Sequence, residues 1–225
     1  MELKKKSFLS SDHLHMNDIL TDLADSLPFK SIFALQEIER LTPALLDQLG
    51  EQERRELESF QHEKRRREYA SSRRLLRQLA GEWGVTGEGF LVCKNELGNP
   101  FAETSSTRFE VSIAHTDRVV FGGLSSSEPI GIDVEPLNRK VSDRVRSRMM
   151  HPVERQNGLD IPTIRLWTVK EAYIKLRGQG LRLNMNEVCV QRKGEDFVVA
   201  PDRDKTAKIC SFAYRGHWLA VAFYL

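Results

Sequence analysis

Cysteine is scarce and scattered: Cys93, Cys189 and Cys210 are the three in 225 residues, and no CxxC pair occurs. An odd, dispersed set excludes a disulfide framework and a cysteine-type zinc site, and it points to a reducing compartment. Long hydrophobic runs are missing too, since nothing approaches the ~18 apolar residues of a membrane span. The segment after MELKKK, SFLSSDHLHMND, is too polar for the apolar core of a secretion signal. A cytoplasmic protein with no membrane partner is therefore expected. Charge of one sign is also lacking. Lys and Arg number 34 against 32 Asp and Glu, a formal net charge of +2. Such a balance excludes an acidic solvating tail and a uniformly basic nucleic-acid coat. The motifs GxxxxGK[ST], GxSxG, HExxH and GxGxxG are absent, which leaves phosphate-loop, serine-hydrolase, zinc-protease and dinucleotide-binding mechanisms without support.

The pattern that is present alternates helix-like and strand-like stretches. Residues 1–30 have weak periodicity and read as a surface extension or a short helix broken at Pro28. Residues 31–39 read as a strand, and residues 41–60 as two short helices, with Thr42 capping and Pro43 in the first turn of the first. Residues 62–80 read as a long helix with Tyr69, Leu75, Leu76 and Leu79 on one stripe. Residues 89–101 read as a strand and a Gly-Asn-Pro turn, and 108–116, 118–126 and 128–136 as three strands. The second half begins with a basic stretch over 138–155, helical before His151-Pro152. A helix from about Thr163 to Leu176 follows, ending at Gly178 and Gly180, and then four strands over 187–225. No Gly/Ser- or Pro-rich linker separates the halves. The expectation is an α+β chain of two similar halves: 31–127 and 128–225, after an N-terminal extension of 1–30.

Four features could carry chemistry. In Gly131-Ile132-Asp133-Val134-Glu135-Pro136, strand alternation turns Asp133 and Glu135 to one face and Ile132 and Val134 to a core. Paired carboxylates repel unless a cation lies between them, and their hard oxygens suit Mg²⁺. The plain alternative is a solvated acidic edge strand. On the helix Trp167-Thr168-Val169-Lys170-Glu171-Ala172-Tyr173-Ile174-Lys175, residues 167, 171 and 175 share a face. Glu171 and Lys175 could be an ordinary surface pair, but the neighbouring Trp favours partial desolvation. His115, in Ser112-Ile113-Ala114-His115-Thr116, lies at a strand end and alone would read as structural. Finally, residues 62–77 hold seven Lys or Arg against two Glu, and 139–148 hold five against Asp143. Such runs bind phosphates or nucleic acid, or are simply solvated faces.

In this order, Ser112–Thr116, Gly131–Pro136 and Trp167–Lys175 together resemble the signature of the 4′-phosphopantetheinyl transferases. The chain length is similar to that of their larger, pseudo-dimeric class. The resemblance implies transfer of the phosphopantetheine arm of coenzyme A to a serine of an apo acyl or peptidyl carrier protein, releasing 3′,5′-ADP. It implies Mg²⁺, with Mn²⁺ as an alternative, held by Asp133, Glu135 and Glu171. It further implies Glu171 as the base toward the carrier serine and Lys175 at the reacting phosphate. His115 would contact a coenzyme A phosphate, and Arg73 and Arg77, with Lys64 nearby, the 3′-phosphate end. A monomer that binds no nucleic acid is expected.

Two positions depart from the commoner pattern. Ala114 stands where many members have Ser, and Asn99 where many have a cation. The competing readings are a relative that binds coenzyme A or carrier without turnover, and a nucleic-acid binder using the basic helix. The second gives the three acids nothing to do.

Overall fold

The computed structural model describes residues 18–85, 89–179, 182–202 and 205–225. The expected helix end at Gly180 and most of the expected extension lie outside them. Among the described residues are seven α-helices and two five-stranded antiparallel sheets.

The first half runs α1 (Asp18–Ser26), β1 (Ser31–Glu37), α2 (Pro43–Asp47), α3 (Glu51–Ser59), α4 (Glu63–Glu82), β2 (Leu91–Lys94), β3 (Pro100–Glu103), β4 (Arg108–His115) and β5 (Val119–Ser125). The second runs β6 (Ile130–Pro136), α5 (Asp143–Met149), α6 (Pro152–Asn157), α7 (Thr163–Arg177), β7 (Val190–Lys193), β8 (Asp196–Asp202), β9 (Lys205–Tyr214) and β10 (His217–Tyr224). A single 3-10 turn, Met185–Glu187, precedes β7.

The strand orders are β1-β5-β4-β3-β2 and β6-β10-β9-β8-β7. Each half is thus a strand, a long helix and four more strands, with the last strand placed beside the first. The α+β expectation of two similar halves is met. The halves meet directly: Ser112 Oγ on β4 accepts a hydrogen bond from the backbone N–H of Ile132 on β6 at 3.0 Å. Phe33, Ala114 and Phe121 of the first sheet share a core with Ile132, Val134, Leu219 and Val221 of the second. α1 closes that core with Leu20, Leu23 and Ala24, so residues 18–26 form the short helix rather than a loose extension.

The outer face of the first sheet is covered by α4, through Leu75, Leu76 and Leu79. The outer face of the second is covered by α7, through Leu166, Val169, Ala172 and Tyr173. Two elements differ from the sequence reading. The stretch expected as one strand and a turn is a hairpin, β2 and β3. Asn95 Oδ1 accepts from the backbone N–H groups of Leu97 and Asn99, both at 3.0 Å, and folds the chain back. The basic helix begins at Asp143 rather than near 138; it ends at Met149, before His151-Pro152 as expected, because Met150 and His151 are extended before Pro152, which starts α6.

Candidate active site

The site begins with a glycine. A Cβ on Gly131 would lie 2.0 Å from the carbonyl oxygen of Ala172 and 2.3 Å from the backbone nitrogen of Leu176. α7 therefore rests on the bare backbone of β6, and only glycine permits that approach. Alternation does the rest. Gly131, Asp133 and Glu135 face the helix, while Ile132 and Val134 enter the shared core. Lys175 Nζ donates to Asp133 Oδ1 at 2.9 Å. Trp167, Glu171 and Lys175, one turn apart along α7, all line a cavity of about 590 Å³ between the halves. Asn99, Phe101 and Ile113 of the first half form part of its opposite wall.

The three carboxylates influence one another. Burial pushes the Asp133 carboxyl up to about 6, against the opposing pull of Lys175, and Glu171 and Glu135 push it the same way as burial. Burial also raises Glu171, with Lys175 opposing and Glu135 adding to the rise. A carboxyl that holds its proton more tightly when folded than when unfolded stabilises the fold fully below its unfolded value. That contribution is lost as pH rises through the folded value. The metal-free protein should lose up to about 3 kcal/mol from Asp133 between roughly pH 4 and pH 6. Asp133→Asn is accordingly expected to raise the melting temperature near neutral pH, with the gain fading as pH falls from about 6 to about 4. Melting curves across that range check it, and a lowered melting temperature at neutral pH would contradict it.

Do these residues suit a divalent cation? As they stand, no three His, Cys, Asp or Glu side chains among the described residues are gathered as a metal-holding group. Lys175 holds Asp133, and Arg139 donates to Glu135 Oε1. The donor set nevertheless fits a hard cation. Asp133 Oδ2 is buried without a hydrogen-bond partner, and Glu171 makes no hydrogen bond or ion pair among the described residues. Three oxygen ligands of like charge, one of them orphaned, are what such an ion would satisfy.

His115 ends β4 and turns toward α4. Its Nδ1 lies 3.7 Å from Glu68 Oε1, and its Nε2 lies 3.3 Å from Arg65 Nη1. Burial lowers its pKa first. Glu68 opposes, whereas Arg65 and Lys175 lower it further, so the ring is neutral near pH 7. Lys64 pairs with Asp117 and approaches Glu68 at 3.9 Å. The structure thus groups Lys64, Arg65, Glu68 and His115, and places Lys175 close enough to bias the imidazole.

The strand–helix unit that gathers the acids lies inside residues 129–222, which match the family model of the 4′-phosphopantetheinyl transferase superfamily. This stretch is similar to that superfamily. The chain is also similar to the 4′-phosphopantetheinyl transferase gsp of Aneurinibacillus migulanus. They are 27% identical over 128 residues, covering 54% of this chain and 52% of that protein. With a 4′-phosphopantetheinyl transferase of Bacillus subtilis the identity is 28% over 132 residues, covering 55% and 58%. With psf-1 of Bacillus pumilus it is 25% over 116 residues, covering 47% and 48%. The chain spans about half the length of the curated relatives it matches.

Arg73 and Arg77, the transferase-type expectation for the 3′-phosphate, are placed elsewhere. Arg73 is 4% exposed, stacked 4.4 Å from the Tyr69 ring centre and 3.7 Å from Glu53 Oε1. Arg77 donates to the same carboxylate and to the carbonyl of Phe90. Neither lines the cavity. Their partner Glu53 lies on α3, brought there by folding rather than by sequence neighbourhood. Arg73→Ala is expected to cost ~2–3 kcal/mol of stability, at the low end because Arg77 still holds Glu53. Urea unfolding checks this. A variant of unchanged stability with a raised coenzyme A requirement, absent for a 3′-dephospho donor, would restore the phosphate role.

The two departures have structural accounts. Ala114 packs in the shared core, and Asn99 Nδ2 donates to the carbonyl of Gly178 at 2.6 Å, fastening the β2–β3 turn to the end of α7. Lys170, the other lysine of the helix motif, escaped the sequence reading. It is fully buried, and its Nζ meets Glu154 and the carbonyls of Met149, Met185 and Val188 at 2.7–3.0 Å. Its signal in the sequence was a lysine on the apolar side of α7.

Proposed function

We propose that this chain transfers the 4′-phosphopantetheine arm of coenzyme A to a serine hydroxyl of an apo carrier protein and releases 3′,5′-ADP. The observation that carries the reading is the seam of β6 and α7. There Lys175 holds Asp133, the charges of Glu135 and Glu171 reach the same carboxyl, and Glu171 and Lys175 line the cavity between the halves. The relatives named as 4′-phosphopantetheinyl transferases support it.

Asp133, Glu135 and Glu171 would hold Mg²⁺, or Mn²⁺ in its place. Such an ion supplies charge neutralisation of the pyrophosphate at the bond that breaks. The chain's own groups do the rest. Glu171, made more basic by burial, accepts the serine proton directly or through a water as the serine oxygen forms its new bond to phosphorus. The bond from that phosphorus to the bridging oxygen breaks, and 3′,5′-ADP leaves. Lys175 presents a fixed positive charge where negative charge grows. His115, beside Arg65, would contact a donor phosphate.

The basic helix does not need a nucleic acid to explain it. Arg67 donates to the carbonyls of Glu39 and Ile38, Arg74 pairs with Glu39, and Arg73 and Arg77 pair with Glu53.

Labelling of apo carrier proteins with a fluorescent coenzyme A analogue, with and without Mg²⁺, is the test. Label on the carrier serine that disappears with chelator is the expected result. No label on any of several apo acyl and peptidyl carriers would reject the function.

A further inference from the structure

We infer that Arg139 is a built-in counter-cation that occupies Glu135 in the metal-free protein, so that a divalent cation must displace it to bind. This rests on the metal-site reading above. Arg139 follows β6 directly, and its backbone N–H donates to the carbonyl of Pro136 at 3.1 Å, closing a tight turn. The turn folds its guanidinium back over the strand end, onto Glu135 and over the Trp167 ring, 5.4 Å from the ring centre. Glu135 is enclosed, with 13% of its side chain exposed, whereas 46% of Arg139 remains open to solvent. Arg139 is therefore the partner open to solvent and Glu135 the enclosed one.

The rest of the seam shows the same logic. Of the three acids, Asp133 is held by Lys175, Glu135 by Arg139, and Glu171 by neither. Two internal cations against three carboxylates leave the cluster one charge short of neutrality. Arg139 belongs to the basic run at 139–148, to which the transfer chemistry gave no role. Its displacement would free a guanidinium at the cavity rim, beside Trp167.

The measurement is Mn²⁺ binding to the full chain, read from the loss of the free Mn²⁺ electron-spin-resonance signal, without donor or carrier. Arg139→Gln and Arg139→Ala are expected to tighten Mn²⁺ binding by about two- to five-fold, the size of a partly exposed ion pair. Arg139→Lys, which keeps the charge, should stay near wild type. Circular dichroism confirms that each variant is folded. Unchanged or weaker binding in both neutral variants overturns the proposal. Glu135→Gln and Glu171→Gln separate the two readings. If both weaken Mn²⁺ strongly while the Arg139 variants match wild type, the metal site stands and the counter-cation falls. If no form of the protein binds Mn²⁺, both fall.

Discussion

Glu171→Gln should fold like the wild type and turn over about two to four orders of magnitude more slowly, the usual range for loss of a positioned base. The substitution keeps the shape and removes the charge. Glu171 has no hydrogen bond or ion pair to lose among the described residues, and burial already penalises its ionised form. The melting temperature should therefore hold or rise slightly. Carrier labelling at saturating Mg²⁺ and coenzyme A gives the rate, and thermal melting gives the fold. Turnover within a few-fold of wild type would show that Glu171 is neither base nor metal ligand. A slow variant that still binds Mn²⁺ normally would keep the base and discard the ligand.

Gly131→Ala should be the most damaging single methyl in the molecule. The new carbon would stand 2.0 Å from a backbone oxygen and 2.9 Å from the Leu176 Cα, and none of these atoms can rotate aside. Relief requires α7 to lift from β6. That lift opens the packing of Ala172 and Leu176 and separates Glu171 and Lys175 from Asp133. Overpacking of this kind costs ~1–3 kcal/mol, occasionally more, and Gly131→Ala is expected at or above the upper end. A displacement of about 1 Å at the acids alone can cost on the order of 100-fold in rate. Gly122→Ala is the control. There the clash at 2.9 Å is with the end of the Leu75 side chain, which can turn away. Urea unfolding should show a much larger loss for Gly131→Ala. Equal, small losses would mean that the contact between β6 and α7 is looser than described.

Glu171 was visible in the sequence, with Asp133 and Glu135, and the reason is local; the close approach at Gly131 was not. Alternation along β6 and four-residue spacing along α7 fix which side chains point together without knowledge of the fold. What those rules could not supply was the partner across the fold. Arg73 and Arg77 were assigned to the 3′-phosphate end by resemblance alone, and Glu53 reaches them from α3. Asn99 looked like a lost charge, and it proves to be a fastener whose acceptor lies 79 residues away. Residues 18–26 carried too weak a stripe to show that Leu20 and Leu23 seal a core made by both sheets. Arg139 lay inside a basic run, and only the turn at Pro136 reveals which carboxylate it covers.

The repeated strand order has a consequence for stoichiometry. Each half pairs its first strand with a long helix, β1 with α4 and β6 with α7, although α4 rests mainly on β5. In the second, the seam carries three acids and a lysine. In the first, Ile32 and Ala34 fill the corresponding face with hydrocarbon. Its polar end is a neutral amide pair, Gln36 Nε2 donating to Gln78 Oε1 at 2.7 Å. Among the described residues, the doubled frame thus carries the three-acid seam in one half only. One divalent ion per chain is the expected count, and the silent seam is free to serve as a rigid wall for the working one.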